Sequence, residues 1–486
     1  MQNNYDVIII GAGVIGSSVA RELSRYQVKV GVLEKEADVC CGNSGRNTGL
    51  LHAGFYRPGS LKAKFAVEGN RAFDTIAKEL DIPFNRTGKL IIGFTEEERE
   101  RLIALKQLGE ENGVPGLKMI DRAEIDKINP NVGGNFALLS ESSGITCPYQ
   151  YTIALAENAK TNGVDFYFGS EVTGVERDAD GRFSITTPKG KYSAKWIINS
   201  AGLYSTKVAE MLGSPGHKLC MVKGEYIILD KKVKDIVNIP VYPCPDEHGI
   251  FDIHITPTID GNALIGPTCD EVVDYPDFDT TRAGLSTLVN NGAKLFKQMR
   301  SDWFIRNFAG IFPRLIDPQT GQEMDFVIEH KKERPNIINL LGMNSPGLTC
   351  AYPIARRVAG IVAEEEGLQK NDRFNPYRKS IVRFAELSNE ERQELIRENP
   401  DYGEVVCRCE YVTKAEILQA LHNPLGVSSI NSIKYRTRAT MGRCQGGYCE
   451  MRISSILQED GGLKKTDIRL DNDLSYMFTG EVRSCK

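Results

Sequence analysis

The feature that most constrains this chain is a short apolar run, Tyr5-Asp6-Val7-Ile8-Ile9-Ile10, that ends in Gly11-Ala12-Gly13-Val14-Ile15-Gly16 and leads into a helix-like stretch from Ser17 to Tyr26. The order is strand, tight turn, helix. Gly11 makes the turn, Gly13 lets the backbone approach a pyrophosphate, and Gly16 allows the helix to pack closely on the strand. The helix N-terminus is then available to an anion. Val28 to Leu33 reads as a second strand, and Glu34 stands at its end, 18 residues beyond Gly16, where a carboxylate can bind ribose hydroxyls. An acid at that position disfavours a 2′-phosphate.

NAD and FAD share this signature, and the next segment separates them. Cys40-Cys41-Gly42-Asn43-Ser44-Gly45-Arg46-Asn47-Thr48-Gly49 is rich in small and polar residues, suited to wrapping the second phosphate and ribityl chain of the longer cofactor. Ser44, Arg46, Asn47 and Thr48 are the candidates there. Val172, in the β-rich run Glu171 to Val175, is expected against an adenine. Trp196-Ile197-Ile198-Asn199-Ser200-Ala201-Gly202 reads as a buried strand ending in small residues, with Ala201 and Gly202 near the cofactor. A later strand, Ile337 to Gly342, runs into Met343-Asn344-Ser345-Pro346-Gly347-Leu348-Thr349 and an apolar helix from Ala351 to Ala363. That glycine-marked turn, with Gly342, Gly347, Leu348 and Thr349, suits an anionic or carbonyl oxygen at a helix start.

Taken in order, these motifs resemble the FAD-dependent oxidoreductase family that includes D-amino-acid oxidase, glycerol-3-phosphate dehydrogenases and L-2-hydroxyglutarate dehydrogenase, over roughly residues 1 to 370. The resemblance implies an α/β fold. It consists of a Rossmann-like FAD-binding domain in discontinuous pieces (1–85, 145–215 and 330–370) and an inserted, mostly antiparallel α+β substrate domain (86–144 and 216–329). Residues 371–403 read as a polar linker with a short helix from Asn389 to Arg397, and 404–486 as a small C-terminal iron–sulfur domain and tail.

Of six histidines, His52 follows the ribityl-binding turn directly, where the chain should pass the flavin ring. Alcohol oxidation needs a base to take the hydroxyl proton as hydride leaves carbon, and imidazole has the pKa for it. The stretch through Arg57-Pro58-Gly59-Ser60-Leu61-Lys62-Ala63 is similar to the L-2-hydroxyglutarate and glycerol-3-phosphate enzymes, which implies the same role. His254, in Ile250 to Gly261, faces either the flavin cavity or solvent; Asp260-Gly261 reads as a hairpin turn. An anionic substrate calls for a guanidinium, whose fork pairs two oxygens. Arg314, in Ala309-Gly310-Ile311-Phe312-Pro313-Arg314, resembles the family's substrate-binding arginine, with Arg46 as second choice.

The chain holds 12 cysteines in 486 residues, and without an export signal these do not read as a disulfide framework. Four cluster late, as Cys407-Arg408-Cys409 and Cys444-Gln445-Gly446-Gly447-Tyr448-Cys449. Paired thiolates are metal or cluster ligands. Zinc competes, although a C-x-C spacing is less typical of it. The pattern resembles the small bacterioferritin-associated-ferredoxin-like domain, which implies a [2Fe-2S] cluster. Thr413 to His422 reads as a helix opened by a capping box, and Lys434 to Arg443 as a cationic, strand-like run beside the cluster. The other eight cysteines, Cys40 and Cys41 among them, read as buried or incidental.

A formal charge of −4 argues against nucleic-acid binding. No apolar run is long enough to span a bilayer. The expected location is the cytoplasm, with peripheral attachment to the inner membrane face as the alternative. The expected activity is oxidation of a small anionic secondary alcohol, sn-glycerol 3-phosphate first and a 2-hydroxy acid such as L-2-hydroxyglutarate second. Electrons would pass through the cluster to a protein or quinone acceptor, with partner subunits admitted. A non-catalytic electron-transfer or redox-regulatory subunit is the alternative of another class.

Overall fold

The computed structural model describes residues 3–247, 249–272 and 277–480; His248 and Cys485 lie outside them. The opening apolar run is a strand, Asn3–Ile10, whose residues Val7 to Ile9 are wholly buried, as a strand covered on both faces must be. It pairs in parallel with Val30–Leu33 and Gly190–Asn199, which pairs in turn with Arg334–Leu341. Asp165–Tyr167 extends the other side in parallel, and antiparallel strands complete eight. Alternate residues face opposite ways. Val7, Ile9 and Ile198 pack under the helices Val14–Leu23, Pro148–Thr161 and Gly347–Glu366, while Ile8, Ile10 and Ile197 pack towards Val208 and Leu212.

A second sheet of nine strands, mostly antiparallel, draws on both inserted stretches. They meet where Lys89–Gly93 pairs in parallel with Val241–Pro243, Ile91 opposite Tyr242. His254–Pro257 and Ala263–Gly266 form the expected hairpin, and Gly261 in its turn has φ +89°.

The segment after 370 is anchored rather than loose. Asn371 bonds to Arg25, Arg378 pairs with Glu157 and caps Leu80, and Ser380 bonds to Asp81. The last unit has its own core, Val406, Ile417, Ile433, Ile453 and Leu457 among it. The capping box at Thr413 and Glu416 is present. The strand expected over 434–443 is not: Ile430–Thr437 is a helix, capped by Arg438 in a left-handed conformation (φ +70°). Ile430 and Ile433 enter the core three apart, a helical period that lies just before the cationic residues Lys434, Arg436 and Arg438.

Candidate functional site

A cleft opens at the C-terminal ends of the parallel strands, where open α/β sheets place ligands. Gly11, Gly13, Glu34, Ser44, Val172, Ala201 and Gly202 all line it, together with Cys40 and Cys41. A Cβ on Gly11 would stand 2.7 Å from the Ser200 carbonyl oxygen, and one on Gly16 would stand 2.0 Å from that of Gly11. Both glycines are therefore required by close approach, Gly16 as a packing residue outside the cleft. Glu34 accepts the backbone N–H groups of Ala12 at 2.6 Å and Glu36 at 2.9 Å; burial holds its carboxyl above the usual range, against those two bonds. Ser44 Oγ accepts the Val14 N–H at 2.8 Å, and Gly13 offers the helix no side-chain cap. The glycine cradle and the small residues from 42 to 44 fit FAD. Cys40 and Cys41 belong to this lining, Cys40 buried as expected and Cys41 partly so.

The other cofactor candidates shape the cleft rather than line it. Arg46 stacks on Phe278, 4.3 Å from its centroid, and reaches the Ala309 carbonyl. Asn47 bonds back to Asn43 and Ser44 and accepts from Gly49. Thr48 contacts Tyr242. Gly342 has φ +68°, and a Cβ there would meet that of Leu315 at 2.7 Å. Gly347 and Leu348 open the helix Gly347–Glu366, and Thr349 Oγ1 accepts the His52 N–H at 3.0 Å.

That last bond fixes His52 beside the turn. Its Nδ1 lies 3.1 Å from Tyr56 Oη and its Nε2 3.3 Å from Ser345 Oγ. Burial, reinforced by Lys89 and His254, pulls its pKa down to about 3, so the ring is neutral at ordinary pH. His254 lies inside, stacked on Tyr242 with centroids 3.8 Å apart, and is pulled down to about 3 by burial. Arg314 sits 3.5 Å from Glu323 and 3.2 Å from Cys269 Sγ. Glu323 also binds Lys62 at 2.7 Å and Asn344 at 3.1 Å. Since Asn344 precedes Ser345, this chain of contacts joins Arg314 to the His52 side of the site.

Sequence reasoning missed Tyr56, Tyr242, Ser345 and Lys89. Lys89 is 2% exposed. Its only signal was a cation opening the apolar run Leu90-Ile91-Ile92.

In the C-terminal unit Cys407 and Cys449 are buried and in contact, and Cys409 and Cys444 form a second, exposed pair. The Cys449 thiol lowers the Cys407 pKa to about 6 despite burial, helped by backbone N–H groups of Thr440 and Glu410. A Cβ on Gly442 would stand 2.2 Å from that of Cys409. Among the described residues no three metal-binding groups converge on one point. Two thiol pairs, each fit for one iron, suit a [2Fe-2S] cluster better than a single zinc ion. The expected cationic lining is absent at Arg436 and Arg438, which turn to Asp38, Glu157, Asp260 and Glu410 instead. Among the described residues no helix is long and apolar enough to cross a membrane.

Residues 6–361 match the family model of FAD dependent oxidoreductases, and 405–459 match that of the BFD-like [2Fe-2S] binding domain. The chain is 38% identical to a glycerol 3-phosphate dehydrogenase of Caloramator mitchellensis over 99% of both chains. It is 35% identical to an L-2-hydroxyglutarate dehydrogenase of Escherichia coli, over 54% of this chain and 63% of that one. Among solved structures, the FAD-bound L-alpha-glycerophosphate oxidase of Mycoplasma pneumoniae superposes with a TM-score of 0.72 and 30% identity, covering 78% of this chain and 99% of that one.

Proposed function

The chain belongs to the FAD-dependent oxidoreductase family, and from that premise we propose that it is a dehydrogenase oxidising sn-glycerol 3-phosphate to dihydroxyacetone phosphate. The observation that carries this reading is the likeness to a glycerol 3-phosphate dehydrogenase along the whole chain, cysteine-bearing tail included. The likeness to the L-2-hydroxyglutarate enzyme covers about half of it.

When bound, FAD supplies the hydride acceptor and the [2Fe-2S] cluster a one-electron outlet. The chain supplies the rest. His52 is the base: with Nδ1–H donating to Tyr56, Nε2 is free to accept the substrate hydroxyl proton where Ser345 now makes its contact. Burial keeps the imidazole neutral, the form the step needs, and at the same time lowers its basicity. Arg314 pairs the phosphate, with Glu323 holding the guanidinium in place. Ser44, Glu34, Val172, Ala201 and Gly202 hold the cofactor along the cleft. Cys407, Cys409, Cys444 and Cys449 would hold the cluster, whose chemistry suits single-electron delivery to a protein or quinone acceptor.

Anaerobic addition of glycerol 3-phosphate should bleach the flavin absorbance, and L-2-hydroxyglutarate should not. Replacing His52 by Ala should slow that reduction by about 10²- to 10⁴-fold while leaving electron exchange with an artificial acceptor intact. Bleaching by the hydroxy acid alone moves the assignment to that substrate. Bleaching by neither points to an electron carrier.

A further inference from the structure

Lys89 is only 2% exposed, yet among the described residues its ammonium makes no hydrogen bond or ion pair. Three rings surround it instead: Tyr242 at 4.6 Å, Phe55 at 5.0 Å and Phe251 at 5.4 Å from their centroids. Ring faces attract a cation but carry no net negative charge. An ammonium withdrawn from water loses its hydration. The cage therefore leaves the charge undercompensated, and burial accordingly draws the Lys89 pKa down to about 7.

The location gives this deficit a use. Tyr242, one wall of the cage, stacks on His254, and Lys89 is close enough to act electrostatically on both His52 and His254. None of the neighbours Phe55, Tyr242, Phe251, His52 and His254 is an anion at neutral pH. No group among these neighbours supplies the negative charge that would hold the ammonium protonated.

We propose that Lys89 is a counter-charge for the anionic group of the substrate, held without a partner in its aromatic cage until that group enters beside His52. Resting on the reading of the substrate as a phosphate ester, this makes Lys89 a specificity determinant that acts with Arg314 and does not touch the transferred hydrogen. Substrate anion and ammonium then neutralise each other where water is excluded, which strengthens the pair.

Lys89→Met retains the length and apolar stem of the side chain, and Lys89→Arg retains the charge. Stopped-flow flavin reduction should show the dissociation constant for glycerol 3-phosphate raised about 10- to 100-fold in the Met variant. The limiting reduction rate should change less than about threefold, and the Arg variant should recover most of the affinity. Inorganic phosphate, titrated against the flavin spectrum of the oxidised holoenzyme, should lose affinity in parallel. If glycerol 3-phosphate fails to reduce the wild-type flavin while phosphate binding still depends on Lys89, the substrate assignment fails and the anion site stands. Equal phosphate affinity in wild type and Lys89→Met overturns the proposal. So does a reduction rate that collapses at unchanged affinity, since Lys89 would then serve the chemistry or the packing.

Discussion

Two buried cations, one at the seam between the C-terminal unit and the rest and one beside His52, show opposite solutions to the same electrostatic problem. At the seam, the Arg436 side chain is 1% exposed and fully supplied. It meets Asp38 at 2.6 and 3.2 Å, Glu157 at 3.3 Å and the Ser432 carbonyl at 3.1 Å. Burial opposes its charge, and the two carboxylates outweigh burial. Arg438, at the end of the same helix, reaches Asp260, Glu410, Asn262 and Tyr149. Lys89 has rings and no acid. A buried cation whose acceptors come from the chain is a fastening; one denied them is reserved for a ligand.

The largest effect should come from breaking the fastening. Arg436→Ala leaves Asp38 buried without its cation, while Glu157 keeps Arg378 at 2.7 Å; the loss should be about 3–5 kcal/mol. Because Asp38 lies in the loop beside the flavin cleft and Glu157 on the helix Pro148–Thr161, the loss should include docking of the C-terminal unit. Thermal unfolding of the holoenzyme should separate into two transitions where the wild type should show one. A single transition at unchanged temperature would remove the contrast with Lys89.

Lys89→Met should act in the opposite direction. An apolar residue in place of an uncompensated buried charge stabilises by about 1–4 kcal/mol. The pH dependence carries the sign. An unfolded lysine titrates near 10.5 and the folded one near 7, so between those values the unfolded state holds more protons. The Lys89 penalty is full below pH 7 and fades as pH rises towards 10.5. The variant should therefore exceed wild type in denaturant midpoint at pH 6 and converge with it by about pH 10. His52 and His254 are neutral in the folded state across that window, and their titration when unfolded is common to both proteins, so they cancel in the difference. Equal midpoints at pH 6 would mean that the ammonium has an acceptor in solution.

What the sequence disclosed follows the same division. The Gly11, Gly13 and Gly16 turn, Glu34 and the Thr413 capping box are local: each depends on residues within a few turns of chain, and each is found where spacing put it. The four cysteines were legible because close spacing of thiols is itself the chemistry, but their contacts cross the two sequence pairs, Cys407 with Cys449 and Cys409 with Cys444. Long-range charge was not. Arg436 and Arg438 read as cations near a cluster because nothing in residues 430–443 names Asp38 or Asp260, nearly 400 and 180 positions away. The cage of Lys89 is assembled from residues 55, 242 and 251, brought together by the parallel pairing of Lys89–Gly93 with Val241–Pro243. In sequence a lysine at the start of a strand is ordinary; only burial makes it exceptional.

The smallest effect probes the neutral partner of the same site and divides binding from chemistry. Tyr56→Phe removes the oxygen 3.1 Å from His52 Nδ1. Burial keeps this phenol protonated, so it carries no charge that an anionic substrate could feel. Its loss frees the imidazole from the tautomer that leaves Nε2 open, and one neutral hydrogen bond is worth about 1 kcal/mol. Flavin reduction should slow by about fivefold with the substrate dissociation constant unchanged. Lys89→Met should give the reverse pattern, affinity lost and rate kept. If both variants shift the same parameter, the two groups act as one unit, and the division between a cation that binds and a base that reacts does not hold.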